Sequence, residues 1–175
     1  MSIKSIFLDR DGVINKELNY VYKIEDFEFI EGIFSACQFL QKLDYKIIII
    51  TNQSGIDRKL YSDNEFHKLS KWMVAQFKEN NIDILDIFYC PHKPESNCEC
   101  RKPNPGMILK AREIYNIDLQ KSWIIGDKEN DIIAGYNAGI QKTVIVRSGH
   151  NINESSSTAL HIIDSIKDID KVILQ

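Results

Sequence analysis

Short apolar runs alternate along the chain with longer segments whose apolar residues recur at helical spacing. This alternation is the signature of a parallel sheet covered by helices on both faces. The first run, residues 5–8, ends in Asp9-Arg10-Asp11-Gly12. Residues 15–28 carry Tyr20, Tyr22 and Phe27 without a helical period, which predicts an irregular flap. From Gly32 to Leu43 the stripe Ile33, Phe34, Ala36, Cys37, Leu40 and Leu43 predicts a helix in which Cys37 packs as a small hydrophobe. Residues 46–50 form an isoleucine strand, apolar on both faces, closed by Thr51-Asn52-Gln53-Ser54-Gly55.

Ser62 and Glu65 read as a capping box, and Phe66, Leu69, Met73 and Phe77 give the helix behind it one buried face ending near Asn80. A strand over 86–89 leads into a loop where Pro91, Pro94, Pro103 and Pro105 exclude regular structure. Asn104 is expected to cap the next helix, with Pro105 at its first position and Met107, Ile108, Ala111 and Ile114 buried. A strand over 122–126, a short helix through Ile132 and Tyr136 and a strand over 143–146 follow. The polar stretch 151–157 reads as a mobile loop, 161–163 as an edge strand, and a short helix ends the chain. The expectation is one Rossmann-like three-layer α/β/α domain over residues 1–175, with a mainly parallel sheet.

Composition adds exclusions. With 43% hydrophobic and 27% charged residues the chain has the balance of an ordinary globular domain. A net charge of −3 and the lack of a basic stripe argue against nucleic acid. The amino-terminal strand is too short and too soon charged for a signal peptide or a membrane span, so a cytoplasmic protein is expected. Three of the four cysteines, Cys90, Cys98 and Cys100, fall within eleven residues together with His92, which points to metal rather than disulfides. Three thiolates and an imidazole make the ligand set of a closed structural Zn²⁺ site that braces its loop.

The chemistry gathers at strand ends. Asp9 and Asp11 stand one residue apart after a buried strand, and two such carboxylates repel unless a cation is near. Mg²⁺ suits them, and ligands of open α/β sheets collect at the carboxyl ends of strands. A tight turn uses the same residues. A calcium loop does too, but it requires a glutamate at its twelfth position and does not follow a buried strand. Thr51 ends the second strand with a hydroxyl suited to an anionic oxygen. Arg101 and Lys102 follow the cysteine loop as adjacent cations. Asp127 ends the fourth strand, and Asp131 faces the same way one helical turn later. His67, His150 and His161 show no partner pattern and read as surface or packing residues.

In this order, Asp-x-Asp-Gly, a strand-ending Thr, a lysine and Gly-Asp-x-x-x-Asp resemble the haloacid dehalogenase superfamily of aspartate-nucleophile phosphatases. The match spans residues 3 to about 146. The resemblance implies Asp9 as nucleophile, Asp11 as acid and base, and Thr51 and Lys102 on the phosphoryl oxygens. It places Mg²⁺ on Asp9, the backbone carbonyl of Asp11, and Asp127. Arg10 is expected to be oriented by backbone contacts and not to react. An aspartate at position 11 favours a phosphatase over a dehalogenase or phosphonatase, because both proton transfers need a carboxyl group.

The Cys90, His92, Cys98, Cys100 loop resembles that of two branches of the superfamily, the heptose bisphosphate phosphatases and the histidinol-phosphate phosphatases. Residues 9–15, Tyr20-Val21, the segment 51–56 with Arg58, and Cys100-Arg101-Lys102-Pro103 resemble the first. The short interval from His92 to Cys98 is closer to the second. Carried over by position, Arg101 meets the sugar or a second phosphate, and Asn52, Gln53 and Ser54 lie at the phosphate edge. Glu17, Asn19 and Tyr20 face the sugar, and Lys128 stands beside the last metal aspartate. The expected partner is a small sugar phosphate, acted on by a monomer with no large cap domain. A non-catalytic zinc-braced binding module on the same fold is the rival from another class.

Overall fold

The computed structural model describes residues 2–174. Its strands are β1 (Ser5–Leu8), β2 (Lys46–Asn52), β3 (Ile84–Cys90), β4 (Trp123–Gly126), β5 (Lys142–Val146) and β6 (His161–Ile163). Its α-helices among the described residues are α1 (Ile33–Lys42), α2 (Asp63–Glu79), α3 (Gly106–Tyr115) and α4 (Glu129–Ala138). The six strands form one sheet in the order β3-β2-β1-β4-β5-β6, and each of its pairings is parallel. This is the doubly wound order, in which the winding reverses between β1 and β4. The backbone carries that junction one residue past the strand, where Asp9 N–H donates to the Ile125 carbonyl at 3.0 Å.

Alternation within the strands divides the core in two. Ile6 and Leu8 of β1, with Ile47 and Ile49 of β2, pack under Leu40 of α1 and Leu69, Met73 and Phe77 of α2. Phe7, Ile48 and Ile50 point the other way and meet Met107, Ile108 and Ala111 of α3 and Ala134 and Ala138 of α4. Strands buried on both faces explain the unbroken isoleucine run, since neither side of β2 meets water. Cys37 is fully buried in the first of these clusters, and burial pushes its thiol up to about 12, consistent with a packing role.

Several boundaries differ from those expected. β3 starts at Ile84, with its register against β2 shifted between Ile47 and Ile48. Pro105, rather than Asn104, occupies the position before α3, and Asn104 instead donates to the Cys98 carbonyl at 2.7 Å. Ile114 is 55% exposed, contrary to its expected burial, because Tyr115, four residues after Ala111, packs on the core in its place. The stretch 151–157 contains a 3-10 turn at Glu154–Ser156. Arg147 holds it by two bonds to Glu154, at 2.6 and 2.9 Å, and Ser157 bonds Glu129. Among the described residues no helix is long and apolar enough to cross a membrane.

Candidate active site

The carboxyl ends of β1, β2 and β4 open on a cavity of about 270 Å³. Asp9, Asp11, Asn52, Gln53, Ser54, Arg101, Lys102, Asp127 and Lys128 line it. The flap between β1 and α1 adds Glu17, Asn19 and Tyr20. Of the expected site residues on this edge, Thr51 stands back: it is buried behind Gln53, whose Nε2 donates to its Oγ1 at 2.7 Å.

The centre of the cavity floor is an ion array. Lys102 is 3% exposed, and its ammonium donates to Asp9 Oδ1 at 2.8 Å, Asp131 Oδ1 at 2.6 Å and the Ile50 carbonyl at 3.1 Å. Three donors thus meet three acceptors. Burial alone would push the lysine's pKa down, but Asp131 and Asp9 outweigh it and hold the group above the ordinary lysine range. Burial pushes the Asp9 carboxyl well above its usual range; Lys102 opposes this, while Asp131 and Asp127 reinforce it.

Side-chain oxygens of Asp9, Asp127 and Asp131 lie within 4.8 Å of one another, and all three residues are buried. Three carboxyl groups meet a single ammonium, an excess of acidic groups that a divalent cation would offset. Both oxygens of Asp131 are in use, Oδ1 on Lys102 and Oδ2 accepting from the backbone N–H of Asp127 and Lys128. Asp127 Oδ1 is buried without a hydrogen-bond partner. An orphaned buried carboxylate oxygen beside a second carboxylate fits a hard cation.

Asp11 is held differently. Arg10 donates to it from Nε at 3.1 Å and Nη2 at 2.9 Å, Asn15 Nδ2 at 3.0 Å, and Gln53 Nε2 at 3.2 Å. Its carboxylate is therefore engaged by donors, and its backbone carbonyl is the part that suits a cation. Arg10 is buried and ties Asp11 to the flap, because Nη2 also donates to the Val21 carbonyl at 2.6 Å. A side-chain fork, as well as the backbone contact expected, thus orients Arg10. Gln53 accepts in turn from the Tyr61 hydroxyl, and Tyr61 stacks on Tyr22 of the flap at 5.1 Å. Burial raises the Glu17 carboxyl at the cavity wall, and Asp11 adds to the rise.

Asn52 faces the cavity, yet its amide grips the backbone of Lys102: Nδ2 donates to the carbonyl at 3.1 Å, and Oδ1 accepts from the N–H at 3.1 Å. Beyond it the ligand atoms of Cys90, His92, Cys98 and Cys100 lie within 4.8 Å of one another. Cys100 Sγ is 2.7 Å from Cys90 Sγ and 3.3 Å from His92 Nδ1, while all four cysteines are free thiols. Three sulfurs and one ring nitrogen converging in this way can hold a tetrahedral metal.

Sequence reasoning missed Tyr61 and His150 of the cavity's residues, and it named Asp131 without its ion pair. Asp131 was visible one helical turn past Asp127, but its hold on Lys102 was not. Tyr61 gave no signal. His150, expected at the surface or in packing, instead bonds Asp127 Oδ2 through Nδ1 at 2.6 Å. Its signal was position, since a polar residue just after β5 lies at the same sheet edge as Asp9 and Asp127.

Residues 99–169 match the HAD-hydrolase-like family model. The chain is 48% identical over 165 residues to D-glycero-alpha-D-manno-heptose-1,7-bisphosphate 7-phosphatase of Photorhabdus laumondii, covering 90% of each. It is 42% identical over 183 residues to the D-glycero-beta-D-manno-heptose-1,7-bisphosphate 7-phosphatase of Vibrio cholerae, covering 100% of this chain and 98% of that protein. The chain belongs to the heptose-bisphosphate phosphatase family. Within this family, its fold superposes with a TM-score of 0.85 on the D,D-heptose 1,7-bisphosphate phosphatase of B. bronchiseptica. That crystal structure, 28% identical and matched over 97% of both chains, is a complex with magnesium and phosphate. Membership makes the chain a haloacid dehalogenase-type phosphatase, as the four strand ends imply.

Proposed function

We propose that this protein removes the 7-phosphate of D-glycero-D-manno-heptose 1,7-bisphosphate through an aspartyl phosphate. It would act as a cytoplasmic, Mg²⁺-dependent step in making heptose precursors of bacterial surface glycans. The observation that carries the reading is the buried Asp9, Lys102, Asp131 array at the β1/β4 switch point, in a chain of this family.

Lys102 holds one oxygen of Asp9, which leaves the other to attack phosphorus as the bond to the sugar oxygen breaks. Asp11, once one of its oxygens leaves the Arg10 and Gln53 donors and takes up a proton, gives that proton to the departing sugar oxygen. It then takes a proton from the water that attacks the aspartyl phosphate, releasing inorganic phosphate and restoring Asp9. Lys102 would lend the charge of its ammonium to the phosphoryl group. The Thr51 hydroxyl, which accepts from Gln53 and so keeps its own proton to donate, would reach a phosphoryl oxygen once Gln53 turns aside from in front of it. Asp9, Asp127 and the Asp11 carbonyl are the residues that would hold Mg²⁺, which when bound neutralises charge on the attacking carboxylate and the phosphoryl group. Cys90, His92, Cys98 and Cys100 would hold structural Zn²⁺.

Around this centre Arg101 and Lys128 offer positive charge to the second phosphate, and Glu17, Asn19 and Tyr20 face the sugar. Asn52 and Gln53 act at the phosphate edge by fixing Lys102 and Asp11, and Ser54 completes that wall. Histidinol phosphate finds less support, because the relatives named above are heptose phosphatases. A binding module without catalysis would not need the buried array.

The test is Asp9→Asn, which conserves shape and removes the nucleophile. Turnover of heptose bisphosphate should fall by at least about 10³-fold while circular dichroism stays unchanged. Residual turnover near that of the parent removes Asp9 from the nucleophile role. Comparing kcat/KM on the two heptose anomers and on histidinol phosphate assigns the substrate.

A further inference from the structure

Asp127 is gripped from one side only. Its Oδ2 accepts two hydrogen bonds from a single residue, the backbone N–H of His150 at 3.0 Å and the ring Nδ1 at 2.6 Å. A carboxylate oxygen only accepts, so Nδ1 carries the proton. Its Oδ1, equally buried, has no hydrogen-bond partner.

Two glycines make this grip possible. A Cβ on Gly149 would lie 2.1 Å from Asp127 Oδ2, and one on Gly12 would lie 2.3 Å from the same atom. The loop after β5 therefore reaches the carboxylate only because residue 149 has no side chain. Ser148 fastens that loop to the β1 turn, donating from Oγ to the Gly12 carbonyl at 2.8 Å. The carboxylate is thus fixed in rotation, with Oδ2 turned to the loop and Oδ1 left as its free acceptor.

We infer that His150 is a positioning residue for the catalytic cation. By holding Asp127 Oδ2 from its ring Nδ1, it presents Oδ1 in one orientation, so that the site loses little freedom when Mg²⁺ binds. The inference rests on the reading that Asp127 helps to hold Mg²⁺. Hydrogen-bond partners of metal ligands commonly tune metal affinity in this way, and losing one typically costs about 10–100-fold.

The experiment titrates Mg²⁺ itself into purified protein by calorimetry, for the parent, His150→Ala, His150→Asn and Asp127→Asn, each checked for fold by circular dichroism. His150→Ala keeps the backbone donor and loses the ring donor, and should weaken Mg²⁺ about tenfold or more. His150→Asn places an amide nitrogen on the same Cγ where Nδ1 stood, and should restore most of the affinity. Unchanged Mg²⁺ affinity in His150→Ala with a raised KM for the sugar phosphate would make His150 a substrate contact and overturn the inference. Equal weakening in the alanine and asparagine variants would overturn it as well. Should Asp127→Asn bind Mg²⁺ like the parent, the cation reading itself fails. Loss in Asp127→Asn with none in His150→Ala removes only the role of His150.

Discussion

Lys102→Met keeps a long unbranched side chain, one atom shorter, and takes away the charge together with its three hydrogen-bond donors. The ammonium is nearly inaccessible and sits 2.8 Å from Asp9 and 2.6 Å from Asp131, so its removal strands buried carboxylates. Breaking a buried pair by deleting one partner costs about 3–5 kcal/mol. For a chain of this length each kcal/mol moves Tm by about 2–4 °C, so a fall of ~6–20 °C is expected. The deficit should depend on pH in a defined direction. Asp131 and Asp9 outweigh burial and raise the folded-state pKa of Lys102. Its contribution is therefore complete below the unfolded value of about 10.4 and is lost only as pH rises through the still higher folded value. Across neutral pH its own titration changes nothing.

Asp9 supplies the slope. Its folded carboxyl is raised by burial, against the pull of Lys102, so folding favours the protonated form. That contribution is present below the unfolded value of about 3.9 and is lost as pH rises through the folded value. Without Lys102 nothing opposes the rise, and the variant's deficit should widen from acid towards neutral pH. Urea unfolding in buffer without added Mg²⁺, at several pH values, measures it. Lys102→Met/Asp131→Asn should regain part of the loss by removing one stranded charge. A deficit under about 1 kcal/mol, or one that is flat in pH, would refute the charge-coupled array.

Arg10→Lys keeps the charge but cannot reproduce the two-pronged hold on Asp11 together with the bond to the flap carbonyl of Val21. Steady-state kinetics should show kcat lowered about tenfold or more, within the ~10²–10⁴ that acid-base catalysis supplies, with KM changed less. Elemental analysis should find zinc bound at one site per chain. Stripping it with a chelator and then restoring Mg²⁺ should lower both Tm and kcat, because the loop that carries Lys102 loses its brace. Full activity in zinc-free protein would break that link.

The legible part of this molecule was whatever repeats or ends a strand. Apolar runs buried on both faces identify a parallel sheet, and in such a sheet the residue after each strand falls on one edge. Asp9, Thr51 and Asp127 could therefore be grouped before any coordinates. Contacts set by side-chain reach were not legible. Nothing in the order of residues says that Asp131 spends itself on Lys102, or that Asn52 holds a backbone fifty residues away. Ile114 was misplaced because a helical period leaves two neighbouring positions near the edge of the buried stripe, and the larger Tyr115 took the place.

The position of one ammonium explains why two unlike ligand clusters share this chain. Lys102 has to reach an anionic floor from a loop rich in proline, where no helix or strand fixes the backbone. Three restraints take their place. Cys100, two residues earlier, is tied into the thiol and imidazole cluster, whose Cys90 ends β3 directly beside Asn52 of β2. Asn52 then clasps the Lys102 N–H and carbonyl, so the cluster and the clasp share the β2/β3 edge as a common base. Gly106 opens α3 so close to the cluster that a Cβ there would lie 2.4 Å from the Glu99 carbonyl oxygen, which closes the loop from its far end. A backbone held at three points leaves only the lysine's own torsions free, and the Ile50 carbonyl, Asp9 and Asp131 consume those. Cys98→Ser or Asn52→Ala should therefore impair the same step as a change at Lys102, though neither residue carries its charge.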